Sequence, residues 1–320
     1  MADASETDDV GESATTTLAR VGVIGAGAVG NALLAALAAR GALAGMAAVA
    51  VASRTFAHAQ AAATRAPGCE ALASPDALAE ACDLVFIATP DDAIHSVAEG
   101  IQWRRGQAVA HLSGAQGVAP LAAAAARGAL VAALHPLMTF PQALRGTDAA
   151  QTLARLAGAS WALECADAAL ATRLTGLIAA LGGQVIMLTE ADRAPYHLAG
   201  VLASNYVVTL MGAATDLWAG WGVERAEALR ALLPLLRATI ENLEAVGLPA
   251  ALTGPIARGD VGAVRIHEAW LRAHAAETPD GQALREAYAA LARLTIPLAR
   301  EKGALDAASA EALRRALDEP

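Results

Sequence analysis

The sequence predicts a parallel α/β domain followed by an all-α domain, on three observations. A short apolar run, Arg20-Val21-Gly22-Val23-Ile24, leads straight into Gly25-Ala26-Gly27-Ala28-Val29-Gly30, three glycines spaced G-x-G-x-x-G. Apolar strand-like runs then alternate with helix-like segments as far as about residue 189, the order that βαβ units require. From Asp192 the apolar period becomes helical and stays so to the end. These observations place a disordered acidic tail at 1–17, a Rossmann-type parallel-sheet domain at 18–190 and an all-α C-terminal domain at 191–320.

The glycine motif reads as a dinucleotide fingerprint. Val21 to Ile24 form a buried strand, Gly25 makes the tight turn, Gly27 leaves the backbone open to a pyrophosphate, and Gly30 lets the next helix pack close. Ala26, Ala28 and Val29 complete the turn, and the helix from Asn31 to Arg40 turns its N-terminal N–H groups toward the phosphates. The alternative, a purely structural strand-turn-helix, accounts for the glycines but not for their context. A second strand, Ala47 to Ala52, ends at Ser53-Arg54-Thr55, where an NAD site carries an acidic residue to hold the ribose 2′-hydroxyl. A hydroxyl at Ser53 and a guanidinium at Arg54 suit a 2′-phosphate instead, so NADP(H) is the expected cofactor; otherwise Arg54 is a solvated surface residue.

A helix runs on to Arg65 and stops at Pro67-Gly68; the chain then crosses through Ser74-Pro75 to the strand Asp83 to Ala88. Its carboxyl end places Thr89 and Pro90 at the cofactor, with Asp91 either at the site or capping the next helix. Strands Ala108 to Leu112 and Leu130 to Leu134 end at Ser113-Gly114 and at His135-Pro136, and His135 is either a substrate contact or a hinge. Two further strands, 159–165 and 184–188, flank a helix from Ala168 to Leu181. The C-terminal domain opens with a helix from about Pro195 to about Trp218, followed by Glu224 to Val246 bent at Pro234, a helix from Val261 to Ala275, and a last long helix kinked near Pro297.

Composition narrows the partners. A net charge of −9 with no basic cluster among aromatics argues against nucleic acid and anionic membranes, and leaves a small-molecule substrate. Apolar stretches such as 32–52 are broken by Arg40 and glycines and do not read as membrane spans. Cys69, Cys82 and Cys165 include no C-x-x-C pair, which fits a reducing cytoplasm and no zinc site, and the seven histidines include no H-x-x-x-H pair, so no metal ligand set is visible.

Hydride reduction needs a proton donor beside the nicotinamide. On the first C-terminal helix, His197 and Ser204 are seven residues apart and share a face at about 3.6 residues per turn, with Asn205 at its edge. That polar stripe either lines a wet site or makes buried hydrogen bonds. Lys302 is the one lysine in the chain and lies far from this helix, so histidine becomes the default acid, with Ser113, Tyr196 or water as fallback. Arg258 is either a substrate carboxylate ligand or a surface charge, and His267 and His274 read as packing or surface residues.

Six segments together carry a family resemblance: G-A-G-A-V-G at 25–30, A-T-P-D at 88–91, H-L-S-G at 111–114, H-P-L-M-T-F at 135–140, Y-H-L-A-G-V-L-A-S-N-Y at 196–206 and L-T-G-P-I-A-R-G-D at 252–260. They resemble Rossmann-like oxidoreductases with a helical C-terminal domain of unassigned function, similar in plan to pyrroline-5-carboxylate reductase and 6-phosphogluconate dehydrogenase. The resemblance implies an NADP(H)-dependent reductase and a homodimer built on the helical domain, and some members are regarded as alternative ketopantoate reductases. It sets His197 and Asn205 where the superfamily's helix carries lysine and asparagine, and the lysine is absent here. The leading expectation is reduction of a small 2-oxo acid with a proton from His197. A cyclic imine reductase, a non-catalytic NADPH-binding sensor and a flavin-type carrier remain as competing readings.

Overall fold

The computed structural model describes residues 19–40, 45–140, 149–277 and 280–318, so the expected acidic tail at 1–17 lies outside the described residues. The chain forms two compact units that divide between Ser204 and Asn205, inside a helical run and beyond the change of period at 190/191.

The first unit is built on eight strands: β1 (Ala19–Ile24), β2 (Met46–Ala52), β3 (Cys69–Ala71), β4 (Leu84–Ile87), β5 (Ala108–His111), β6 (Leu130–Pro136), β7 (Ser160–Cys165) and β8 (Gln184–Met187). They lie in the order β3-β2-β1-β4-β5-β6-β7-β8, and the strands from β3 to β6 are all parallel. The Rossmann-type sheet is therefore present, with one departure from an all-parallel arrangement. β7 pairs antiparallel with β6 and carries β8 with it, so the last two strands run opposite to the other six.

Strands buried on both faces are uniformly apolar, and alternate side chains feed two cores. Val21, Val23, Val51, Leu84 and Phe86 pack with Leu33, Leu34 and Leu37 of α1 (Ala28–Arg40), Ala59 of α2 (Phe56–Arg65), Leu156 of α6 (Ala149–Leu156) and Leu174 of α7 (Ala168–Ala180). Ile24, Ala52, Val85 and Ile87 face Leu78 of α3 (Pro75–Ala81), Ile94 of α4 (Asp91–Gly100) and Ala124 of α5 (Ala122–Ala126). The crossover expected through Ser74-Pro75 is thus a short strand and a helix capped by the Ser74 hydroxyl, which accepts from the Ala77 N–H at 3.1 Å. A three-residue strand is too short to show a period of two.

After β8, Thr189 and Asp192 form a capping box and α8 (Arg193–Gly200) begins. It continues through a π-helical turn, Val201–Asn205, into α9 (Tyr206–Ala219). The wider turn displaces Ser204 from the face that regular α-helical spacing assigns it relative to His197.

The second unit is helical, as expected: α9, α10 (Arg225–Val246), α11 (Val261–Glu277), α12 (Gly281–Glu301) and α13 (Ala307–Asp318). Pro234 and Pro297 lie inside α10 and α12, and Gly247 ends α10 at φ 64°. The expected last long helix is two, because the chain turns at Gly303 with φ 75°. Val264, Ala292, Ile296, Leu305 and Leu313 form the core of this unit.

Candidate functional site

The order of the sheet reverses direction between β1 and β4, and the crevice outside the carboxyl ends of these two strands is where doubly wound sheets bind ligands. The glycine turn leaves β1 here. Gly25 has φ 116°, and a Cβ there would meet the Ala88 carbonyl oxygen at 2.6 Å. A Cβ on Gly30 would lie 2.1 Å from the Gly25 carbonyl oxygen, so α1 can start only without one. At Gly27 the nearest atom to an added Cβ is the Ala88 oxygen at 3.8 Å, and the space above is open. Gly25 therefore serves the turn and Gly30 the close packing of the helix, while Gly27 leaves space open above the backbone.

The Asn31 amide donates to the carbonyls of Ala26 and Gly27, both at 2.8 Å, fixing the turn while the first N–H groups of α1 remain without intrahelical partners. Thr89, just past β4, has a buried hydroxyl oxygen with no hydrogen-bond partner among the described residues. An orphaned polar atom beside an open glycine turn fits a polar ligand there. Pro90 precedes α4 as its N-cap residue. At the end of β2, Ser53 is half-buried and Arg54 exposed before α2, with no ion pair to Arg54 recorded among the described residues. Gly25 to Gly30, Thr89 and Pro90 thus converge on the switch point, and Ser53 and Arg54 follow the adjoining strand.

A second group sits at the carboxyl ends of β5 and β6. His111 is fully buried; its Nε2–H donates to the Gly117 carbonyl at 2.7 Å and its Nδ1 accepts from the Ser113 N–H at 3.2 Å, which fixes a neutral tautomer. Burial pushes its pKa down. The Ser113 hydroxyl donates to Asp91 Oδ2 at 2.7 Å and accepts from the N–H groups of Ala115 and Gln116, both at 3.2 Å. Ser113 is buried, and Asp91 belongs both to the first turn of α4 and to this site.

His135 stands one residue before the end of β6, its ring 2.9 Å from where a Cβ on Gly114 would be. Its Nδ1 lies 2.8 Å from Tyr196 Oη, and the two rings meet edge to face at 5.8 Å and 86°. Burial pushes the His135 pKa down to about 4, with repulsion from His197 and Arg193 adding to the effect and Asp91 opposing it. Burial likewise pushes the Tyr196 phenol up to about 12. His197, one residue on, is exposed.

Arg193 ties the start of α8 to this end of the sheet. Its Nε donates to Glu164 Oε2 on β7 at 3.1 Å and its Nη2 to the Ala133 carbonyl at 3.1 Å. The other Glu164 oxygen accepts from the Val118 N–H at 3.3 Å, so one carboxylate holds both α8 and the loop after β5. Neither residue was singled out by the sequence reading. The available signal was an arginine in the first turn of a helix, where the macrodipole disfavours a cation and a buried anionic partner is called for.

The remaining candidates lie further along. Ser204 closes the first unit in the π-helical turn, and Asn205 opens the second, its carbonyl accepting from Thr209 Oγ1 at 3.3 Å. Arg258 is exposed at the end of a short 3-10 turn of the second unit. Lys302 donates to the carbonyls of Ala250 and Leu252 at 2.9 and 2.7 Å, a clip within that unit. Among the described residues no cluster of three or more His, Cys, Asp or Glu side chains could hold a metal ion.

Residues 4–136 match the Rossmann-like domain family, and residues 159–295 match the family described as Domain of unknown function (DUF2520). A search of curated proteins finds no match. Among similar solved structures, a candidate NADP oxidoreductase from Bacteroides fragilis is 20% identical, with 88% of this chain and 100% of that chain covered and a TM-score of 0.68. The 1-pyrroline-5-carboxylate reductase of Streptococcus pyogenes is 15% identical over 71% of this chain and 80% of its own, at 0.53. A reductive aminase from Aspergillus terreus, solved with NADPH and ethyl-5-oxohexanoate, is 18% identical over 94% of this chain and 93% of its own, at 0.55. The chain therefore matches a Rossmann-like model in its first part and the DUF2520 model in its second, on a fold it shares with pyrroline-5-carboxylate reductase and reductive aminase.

Proposed function

We propose that the protein is an NADP(H)-dependent oxidoreductase that reduces a small 2-oxo acid, with ketopantoate as the first substrate to try. The observation that carries the cofactor reading is the open glycine turn at Gly27 beside the orphaned Thr89 hydroxyl at the switch point of the sheet. The residues present fit the group: the turn from Gly25 to Gly30 would hold the pyrophosphate, Thr89 and Pro90 would border it, and Ser53 and Arg54 would take the 2′-phosphate. When bound, the nicotinamide supplies hydride. The side chains gathered at the ends of β5 and β6 would hold the acceptor and supply its proton; the sequence nominates His197 for that role, names Ser113 and Asn205 as further catalytic candidates, and names His135, Ser204 and Arg258 as candidate substrate contacts.

A second reading, reduction of a cyclic imine, draws support from the fold shared with a pyrroline-5-carboxylate reductase and a reductive aminase. An imine arrives already protonated and needs no lysine acid. The test is NADPH oxidation followed at about 340 nm with ketopantoate and with pyrroline-5-carboxylate in parallel. Turnover of the keto acid alone supports the first reading and of the imine alone the second. Tight NADPH binding with turnover of neither leaves a non-catalytic NADPH sensor.

The helical unit exposes Val208, Leu235, Leu248, Ile266 and Leu294 by more than half of each residue's surface. The helical stretch Glu190–Ala219 is also long and apolar enough to cross a bilayer by length and composition, with mean hydropathy 1.4. Arg193, His197, Asn205 and Asp216 interrupt it, and a second copy of the chain is the proposed cover, giving a homodimer through this unit. A monomer by light scattering at micromolar concentration would exclude that. The three free cysteines agree with the cytoplasmic location proposed here.

A further inference from the structure

We propose that Tyr196 is the catalytic acid, delivering its phenolic proton to the oxygen of the substrate carbonyl, and that His135 is the positioning residue that holds the phenol for that transfer. The proposal rests on the reductase reading and deepens it, replacing His197 as the source of the proton.

The argument begins with what the neighbouring groups already do. Of the candidates at the ends of β5 and β6, the His111 proton is given to the Gly117 carbonyl and the Ser113 proton to Asp91. His197 is exposed, and no hydrogen bond among the described residues holds its ring. Tyr196 is half-buried and its Oη is 2.8 Å from His135 Nδ1. A neutral imidazole carries one N–H, so either the phenol donates to Nδ1 or Nδ1–H donates to the phenol oxygen. In the second arrangement the phenolic proton has only the His135 carbonyl, at 3.5 Å, too long for a good O–H···O bond. That proton is then the uncommitted one in the group, held at a fixed place by a strand end on the ligand side of the sheet.

Packing makes the arrangement durable. His135 is the penultimate residue of β6, its ring covers Gly114, and α8 is fixed over it by the Arg193–Glu164 pair and the Ala133 carbonyl. The charged and titratable groups facing His135 are Asp91 from α4, His111 from β5, and Arg193 and His197 from α8. Burial, with the Arg193 guanidinium adding to it, outweighs Asp91, so the ring stays neutral at neutral pH.

The step balances. As the carbonyl carbon takes hydride, the C=O π pair moves to oxygen, the Tyr196 O–H bond breaks, and its proton joins that oxygen. The bonding pair stays on Oη as phenolate, still accepting from His135 Nδ1–H, until a solvent proton restores the phenol. An alkoxide is a stronger base than a phenolate, so the transfer runs downhill even from a phenol with its pKa raised.

Two measurements decide it. In the cofactor-free protein, long-range ¹H–¹⁵N NMR of the His135 ring should show the proton on Nδ1; a proton on Nε2 overturns the proposal. In turnover, Tyr196→Phe should lower kcat about 100-fold or more while KM and NADPH affinity stay within about twofold. His135→Asn, which keeps a donor near the phenol, should retain more activity than His135→Leu, and kcat should be level between about pH 6 and about pH 9. An unchanged kcat in Tyr196→Phe overturns the proposal. So does a kcat that falls about tenfold per pH unit above neutrality and loses that fall in His197→Gln, which would assign the proton to His197. If the native protein oxidises NADPH with neither a keto acid nor an imine, the reductase reading fails first and the proposal with it.

Discussion

Arg193 and Glu164 lie 3.1 Å apart, Nε to Oε2, with 4% of one side chain and 13% of the other open to solvent. Twenty-nine residues of chain separate them, and the pair holds the first turn of α8 against β7 and the loop that follows β5. Removing one charge leaves the other buried and unpaired, a loss of about 3–5 kcal/mol in stability. Glu164→Gln should therefore lower the urea midpoint markedly, and the double variant Arg193→Met, Glu164→Leu should recover part of the loss. An unchanged midpoint in Glu164→Gln would mean that water reaches the guanidinium.

The glycine motif separates packing from binding. Gly30→Ala places a methyl group 2.1 Å from a backbone oxygen and should destabilise the first unit by about 1–3 kcal/mol. Gly27→Ala meets nothing closer than 3.8 Å, so stability should stay within about 0.5 kcal/mol while NADPH binding falls sharply. Thermal melts and fluorescence titrations of the two variants would separate the roles.

At the end of β2, Arg54→Ala should weaken NADPH binding about 10- to 100-fold, the loss of one charge-assisted hydrogen bond, and leave NADH binding unchanged. Equal titration curves for the variant and the native protein would return Arg54 to the solvated surface.

His135 also sets an acid limit to stability. Its pKa falls from 6.5 to about 4 on folding, so between these values the unfolded chain binds the extra proton and the native state does not. Stability is then full above about pH 6.5 and is lost as pH falls toward 4, by up to about 3 kcal/mol from this group. His111 shifts in the same direction and adds to the slope. Urea midpoints measured across this range should flatten in His135→Asn.

The glycine turn, the strands before and after it, the helices that contain Pro234 and Pro297 and the change from sheet to helix were all legible, because each rests on local spacing and backbone chemistry. The reversal of β7 was not: a buried strand reads the same in either direction, and its partner is decided by which edge is free. The π-helical turn escaped for a related reason, since one wider turn leaves the apolar pattern on each side intact. At the site, His135 and Ser113 were readable as polar residues at strand ends, but not that Ser113 gives its proton to Asp91 or that His135 meets Tyr196 across 61 residues. Such partners are fixed by tertiary packing and leave no local period.

Lys302 has a use that its chemistry as an acid would not suggest. It carries the only side-chain amine in the protein, and that amine is already engaged with the carbonyls of Ala250 and Leu252. Acylating reagents at neutral pH therefore have one internal target, an exposed amine available to the extent that it leaves these two carbonyls. The rate at which Lys302 is labelled becomes a single-site clock for release of this clip, read by mass spectrometry without any engineered probe.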